Sequence, residues 1–321
     1  MSTSIYKTTA QVTFFSTVEK TLSFIYRIAL SRMIGAEGLG IYQIALSVFS
    51  VLLTAASSGV PVTVSRLITK QNALGNTAGR SAVVTAGIVS TLIFTVPAVA
   101  LIFGGQKIFG LLFSDERCLE VFLIILPGLI LTSVYSVMRG AFWGDRQFMP
   151  YSLIELAEDA LMVGLGCILV AGAAGAADGA RRAAVAVFVS YVFSFAVSLF
   201  WYFKKGGRLV NPSKQLKPLL SSSLPVTAMR TATSLLNSLV AVLMPFLLVK
   251  MCRYTDSEAV SLYGAAAGMA VPILFIPSSL IGSIAGVLAP GLSENLYRNR
   301  TGRVKRDVEK SAKSAMVVPF S

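Results

Sequence analysis

The sequence predicts an all-α integral membrane protein, and three observations support this fold class. Hydrophobic residues make up 55% of the 321 residues and only 13% are charged, whereas soluble domains carry about 25% charged residues. The mean hydropathy is +0.73. The apolar residues also come in runs of about 20, the length needed to cross a hydrocarbon core of about 30 Å. Too few charges remain to cover a water-exposed surface of this size.

These runs predict about eight membrane spans. In chain order, the predicted spans are Thr9–Met33, Ile41–Ile68, Ala82–Phe103, Leu119–Trp143, Ser152–Ala174, Ala183–Phe203, Leu219–Val249 and Ala259–Leu292. Between the first two spans, the glycine-rich run from Gly35 to Gly40 predicts a tight turn. The eighth span contains Pro272, Pro277 and Pro290, so we expect it to be kinked.

Charge in the loops predicts both the orientation and the division of the chain. Most loop arginines and lysines fall in loops on the same side of the membrane as the N-terminus. They include the basic residues of the run from 204 to 218. The positive-inside rule therefore places the N-terminus in the cytoplasm of a multi-pass cell-membrane protein. We predict a six-helix N-terminal lobe over 1–203, a basic cytoplasmic linker over 204–218, and a partial C-terminal lobe over 219–321.

Several classes of function are disfavoured by the composition. The chain has no histidine, which excludes a Ser–His–Asp triad and a histidine-containing metal site. Cys118, Cys167 and Cys252 lie far apart without C-x-x-C spacing, which makes a zinc site, an iron–sulfur cluster or a disulfide framework unexpected. The net charge of +13 comes from basic loops rather than a nucleic-acid surface. We expect no enzyme, no cofactor, no metal and no nucleic-acid partner.

Five basic residues lie inside predicted spans, where ionisable groups are costly and are candidates for function. They are Lys20, Arg27, Arg66, Arg139 and Arg230. Lys20 and Arg230 fall near mid-span, in polar stripes of helical period. Arg66 and Arg139 fall near cytoplasmic ends, where they could instead snorkel to lipid headgroups. The stripes could also be helix–helix packing surfaces. A hydrated, cationic interior would suit a phosphate or pyrophosphate ligand.

Four acidic residues complete the set of charges inside the spans. Glu155, Glu158 and Asp159 lie in the fifth predicted span, and Glu19 is a weaker member of the set. Glu155 and Asp159 are four residues apart and so share a helix face. Two interpretations stay open: ion pairing with Lys20 or Arg230, or binding of a coupling proton or sodium ion.

Four segments of the chain carry a resemblance to a known family: Ser31–Ile68, Leu126–Asp159, Leu224–Pro245 and Leu262–Glu294. Together they resemble the stage V sporulation protein B family of the multidrug/oligosaccharidyl-lipid/polysaccharide (MOP) flippase superfamily. The resemblance implies a MATE-like pair of six-helix lobes around a central cavity, working by alternating access. It also implies a polyprenyl-pyrophosphate-linked saccharide as substrate, with Arg27, Arg66 and Arg230 in rough register with the basic cavity residues of related flippases.

The second lobe is incomplete by comparison with that family, which leaves alternatives to a lipid-linked saccharide flippase. One is a cation-coupled multidrug antiporter of the same superfamily. Another is an inactive fragment or a non-transporting membrane component, which would assemble with cell-wall synthesis proteins or with a complementary chain that supplies helices.

Overall fold

The computed structural model of the protein describes residues 2–271, which are helical almost throughout and contain no strand. In chain order, the α-helices are α1 (Ser2–Ser57), α2 (Val60–Ala73), α3 (Thr77–Gly104), α4 (Gln106–Gly110), α5 (Glu116–Ile125), α6 (Gly128–Gly144), α7 (Phe148–Ala171), α8 (Ala176–Lys204), α9 (Ser213–Cys252) and α10 (Asp256–Tyr263). A π-helical segment over Gly264–Ala270 follows α10. The predicted all-α fold class is confirmed.

Helix α1 is too long to be one straight span. Its 56 residues would extend about 84 Å at 1.5 Å per residue, nearly three times the thickness of the hydrocarbon core. The break comes at Gly35, whose φ of 69° and ψ of −176° are non-helical. Glycine adopts this left-handed φ without a steric penalty. The predicted turn between the first two spans is therefore a kink at Gly35, with helix resuming directly after it.

By length and composition alone, four of the described helical segments could cross a membrane, or five if α5 and α6 form one bent span. Those two helices meet at an angle of 44°. Helix α7 is not in this set; it carries three carboxylates, Glu155, Glu158 and Asp159. Most of the predicted eighth span, with its three prolines, lies outside the described residues.

Helix α9 begins at Ser213, inside the stretch that the sequence predicted as a linker. Hydropathy detects where an apolar run begins, whereas a helix can continue past that point into the polar region of the membrane surface. Pro218, Pro225 and Pro245 lie within α9. Membrane helices tolerate proline because neighbouring groups satisfy the freed carbonyls.

Two clusters of buried apolar side chains hold the bundle together. One joins α1, α5 and α8, and the other joins α2, α3 and α6. Small residues allow close approach in the second cluster: a Cβ at Gly140 would lie 2.6 Å from the Pro61 carbonyl oxygen. Large apolar side chains such as Ile168 (72% exposed) and Leu101 (69%) remain on the outside. Such a surface suits lipid, whose tails are as apolar as leucine.

Helix α9 packs against the junction of α1 and α2. A Cβ at Gly59 would lie 2.3 Å from the Ser223 carbonyl oxygen, so the glycine permits this contact. The Gly59 amide also donates a hydrogen bond to the Thr227 hydroxyl at 3.1 Å. These contacts place the polar stripe of α9 beside α1 and α2.

Candidate substrate-binding site

A pocket of about 230 Å³ lies among α1, α6, α7 and α8. Its charged lining residues are four carboxylates and one guanidinium: Glu19, Glu155, Glu158, Asp159 and Arg139. Its polar and aromatic lining comes from Ser57, Thr132, Tyr135, Ser136 and Tyr191. We call this the acid pocket.

Helical spacing explains why these side chains converge. Glu155, Glu158 and Asp159 follow one another at intervals of three and one along α7, so they project from one face. Thr132, Tyr135, Ser136 and Arg139 show the equivalent spacing on α6. The two faces line the same pocket, with Glu19 of α1 completing the acidic set. The shared face that the sequence predicted for Glu155 and Asp159 is therefore present.

Arg139 compensates one of the four carboxylates. Its Nη1 donates to the Glu155 Oε1 at 3.5 Å, and its guanidinium lies 5.8 Å from the centre of the Trp143 ring. Within residues 2–271, no ion pair involves Glu19, Glu158 or Asp159. Glu155 therefore pairs with Arg139 and not with Lys20 or Arg230, because α6 turns Arg139 inward to the pocket.

Arg66 and Arg230 lie elsewhere, at the contact of α9 with α2 and with the turn between α1 and α2. The Arg230 Nη1 donates to the Ser58 carbonyl oxygen at 3.1 Å. The Arg66 Nη2 donates to the Ser222 hydroxyl at 2.8 Å. Both arginines are exposed. We call this pair of inter-helix contacts the cationic seam.

The cationic seam and the acid pocket are adjacent. Ser57 lines the acid pocket, and the carbonyl of the next residue, Ser58, accepts the hydrogen bond from Arg230. The remaining two cations lie apart from both features in the structure. Lys20 is exposed, and Arg27 is half-buried.

Sequence reasoning missed the uncharged part of the acid pocket. Tyr135 is only 7% exposed, and its neighbours Thr132 and Ser136 lie on the same face of α6. The polar residues of α6 that precede Arg139 recur at helical spacing, and this pattern could have identified them in the sequence. Tyr191 of α8 gave no such signal, because it sits within a run of apolar residues.

A second set of charged contacts ties α1, α5 and α10 together. Arg117 pairs with Glu37 at 2.8 Å and with Asp115 at 2.6 Å, and the Ser257 hydroxyl donates to Glu37. We call this set the Arg117 clasp. Nearby, Thr255 and Glu258 form a capping box that begins α10. Hydrogen bonds from the Thr255 amide and hydroxyl lower the pKa of Glu258.

Comparison with solved structures identifies the fold. An inward-facing multidrug resistance MATE-family transporter of the MOP superfamily matches with a TM-score of 0.68 and 17% identity, over 94% of this chain and 68% of that chain. A MOP superfamily transporter from Pyrococcus furiosus, described as having a binding pocket of reverse polarity, matches with a TM-score of 0.65 and 16% identity, over 98% of this chain and 70% of that one. The protein thus has the helical membrane fold of MATE transporters.

The family follows from the sequence. A family model described as "Polysaccharide biosynthesis protein" matches residues 5–296, so the chain belongs to the polysaccharide biosynthesis protein family. Stage V sporulation protein B of Bacillus subtilis (strain 168) is 24% identical over 320 residues, covering 94% of this chain and 60% of the relative. Lipid II flippase MurJ of the same organism is 24% identical over 174 residues, covering 51% of this chain and 32% of the relative.

These findings confirm the predicted resemblance to the MOP flippases. The relatives that are named for an activity are a flippase and transporters, not enzymes. The chain spans about 60% of the length of its relative Stage V sporulation protein B. It is a multi-pass membrane protein of this family.

Proposed function

We propose that this protein acts in moving an anionic, lipid-linked saccharide between the two leaflets of the cell membrane. The observation that carries the proposal is the cationic seam, where Arg66 and Arg230 lie between α9 and the first-lobe helices. Charged groups inside membrane helices are costly and commonly mark substrate paths. Guanidinium groups match the oxygens of phosphate in geometry and charge. The seam therefore suits a pyrophosphate group.

The proposed mechanism uses the same contacts. Arg230 donates to the Ser58 carbonyl in the turn between α1 and α2, and Arg66 donates to the Ser222 hydroxyl of α9. Both acceptors are neutral. A pyrophosphate would offer negatively charged oxygens that one guanidinium can bind through two parallel hydrogen bonds, which a single neutral serine oxygen cannot provide. Its arrival would release the inter-helix contacts and let α9 move relative to α1 and α2. The lipid tail would remain in the bilayer throughout.

Similarity to a protein named as a lipid II flippase supports this class of substrate. Similarity to a protein named for stage V of sporulation supports a role in sporulating cells. The basic linker around Lys204 and Lys205 supports a cytoplasmic N-terminus through the positive-inside rule. The sugar and the lipid carrier are left open by the proposal.

A flipping assay in proteoliposomes tests the proposal. The substrate is a fluorescent, short-chain polyprenyl-pyrophosphate disaccharide, and accessibility to an external quencher reports the flipping rate. We expect Arg230→Ala to abolish flipping while Arg208→Ala, in the basic linker, leaves it unchanged. An Arg230→Ala rate equal to that of the unmodified protein would contradict the role of the seam. No flipping by the unmodified protein would favour a non-transporting membrane component.

The acid pocket favours a second candidate, a cation-coupled multidrug antiporter. Four carboxylates face one guanidinium there, a balance that would attract organic cations or coupling ions. Cells that overproduce the protein would then resist cationic drugs, and Asp159→Asn would remove that resistance. Unchanged drug sensitivity on overproduction would exclude this candidate.

A further inference from the structure

The acid pocket holds more carboxyl groups than the protein's own basic groups pair with. Four carboxylates line it together with the single guanidinium of Arg139. That guanidinium pairs with Glu155, and Glu19, Glu158 and Asp159 have no ion-pair partner in the described part of the chain. Uncompensated charge at membrane depth is expensive. The pocket is therefore electrostatically suited to a positively charged ligand.

A second observation also points to a missing ligand. Tyr135 lines the pocket and is 7% exposed, and its hydroxyl has no hydrogen-bond partner among the described residues. The same is true of the Arg139 Nε. Buried hydroxyls normally have a partner, because an unpaired polar group loses its hydrogen bonds to water without replacement. A ligand that donates to this oxygen would satisfy it.

The chemistry of the lining selects an ammonium group over a metal ion. No group of three or more Cys, Asp or Glu side chains in residues 2–271 is arranged to hold a metal. An ammonium has three donors and no acceptor, which matches a set of carboxylates together with the tyrosine oxygen. The ring faces of Tyr135 and Tyr191 could add cation–π attraction.

Size and position connect this ligand to the cationic seam. The volume of about 230 Å³ is below the range of roughly 300–1,000 Å³ for sites that hold a whole drug-sized ligand. It suits one polar group of a larger molecule. Ser57 forms part of the pocket wall, and Arg230 is bonded to the adjacent Ser58 carbonyl. One molecule could therefore contact both features.

We propose that the acid pocket binds a protonated amine on the head group of the same substrate whose phosphate binds the cationic seam. This inference rests on the proposed function and narrows it to zwitterionic head groups. The saccharide, or a group attached to it, carries a free amine. An uncharged or N-acylated head group would leave Glu158 and Asp159 without a cation.

The flipping assay tests this inference with two matched substrates. One is a fluorescent polyprenyl-pyrophosphate sugar with a free amine, and the other is its N-acetyl derivative. We expect the free amine to be flipped about tenfold faster, because it adds a charge-assisted hydrogen bond to the pocket. A factor of ten corresponds to about 1.4 kcal/mol. Glu158→Gln combined with Asp159→Asn should remove the difference, and the control Glu116→Gln should retain it.

The outcomes separate the two proposals. Equal rates for the two substrates would overturn the amine site and leave the flippase proposal standing. If neither substrate is flipped, the flippase proposal fails. A binding measurement then tests, independently of transport, whether the acid pocket binds an amine.

That measurement uses the fluorescence of Trp143, which lies beside Arg139, in a Trp201→Phe background. At pH 7, glucosamine should produce a saturable change that N-acetylglucosamine does not, and Glu158→Gln should abolish it. The same response to both sugars, or no response to glucosamine, would overturn the inference.

Discussion

The guanidinium of Arg139 lies 3.5 Å from the carboxylate of Glu155, which joins α6 to α7 inside the acid pocket. The side chains of Arg139 and Glu155 are 33% and 23% exposed, so this ion pair is partly buried. Surface pairs contribute about 0–1 kcal/mol, whereas removing one partner of a buried pair costs about 3–5 kcal/mol. We therefore expect a moderate contribution to stability.

Arg139→Met is the first prediction. It leaves Glu155 beside three further carboxylates with no cation, and we expect the free energy of unfolding to fall by about 1–3 kcal/mol. The double variant Arg139→Met, Glu155→Gln should recover most of the loss, because it removes both charges. Thermal unfolding in detergent compares the unmodified protein, the two single variants and the double variant, which together form a double-mutant cycle. Additive losses in the double variant would contradict the pairing.

The contact between Gly59 and Ser223 gives the second prediction. A Cβ at Gly59 would lie 2.3 Å from the Ser223 carbonyl oxygen, and overpacking of this kind costs about 1–3 kcal/mol. Gly59→Ala should therefore lower the unfolding midpoint and the flipping rate together. Gly164→Ala is the matched control, since nothing lies within 4 Å of its added Cβ. Equal midpoints for the two variants would show that α9 does not press on this glycine.

The Arg117 clasp gives the third prediction, through a native thiol. Cys118 is 1% exposed and follows Arg117, which holds Glu37 and Asp115. We expect Cys118 to resist maleimide in a Cys252→Ser background and to react once Arg117→Ala opens the contact. Mass spectrometry of the labelled peptide measures the reaction. Equal labelling with and without Arg117 would show that the clasp does not protect this region.

Cys252, an exposed thiol at the end of α9, tests the predicted orientation. If the N-terminus is cytoplasmic and seven spans precede this residue, Cys252 faces the outside of the cell. A membrane-impermeant maleimide should then label it in intact cells. Labelling that requires permeabilised cells would place Cys252 inside and reverse the orientation.

Hydropathy predicted the helical character of the chain correctly, because an apolar run of membrane length has few alternatives to a helix. The number of about eight spans stays a prediction. The face that each helix turns to its neighbours was harder to predict. The i, i+4 spacing of Glu155 and Asp159 predicted their shared face correctly. The sequence places Arg139 near the cytoplasmic end of a span, but depth along a span does not reveal whether a side chain points to lipid or to another helix.

The contact that Arg230 of α9 makes with the turn between α1 and α2 could not be predicted from the sequence either. Arg230 stood out as a mid-span cation, but its partner is a backbone carbonyl, that of Ser58. Backbone acceptors have no signature in a sequence. The neutral residues of the acid pocket, such as Tyr191, were likewise hidden among apolar neighbours, since an aromatic residue in a span usually packs rather than binds.

Binding of polyprenyl pyrophosphate tests the central claim, that the cationic seam holds the phosphate, most directly. Native mass spectrometry of the purified protein can compare its affinity with that of the variants Arg66→Ala and Arg230→Ala. Each variant should bind at least about tenfold more weakly, from the loss of a charge-assisted hydrogen bond, while Arg208→Ala should bind normally. Unchanged affinity in both seam variants would contradict the account.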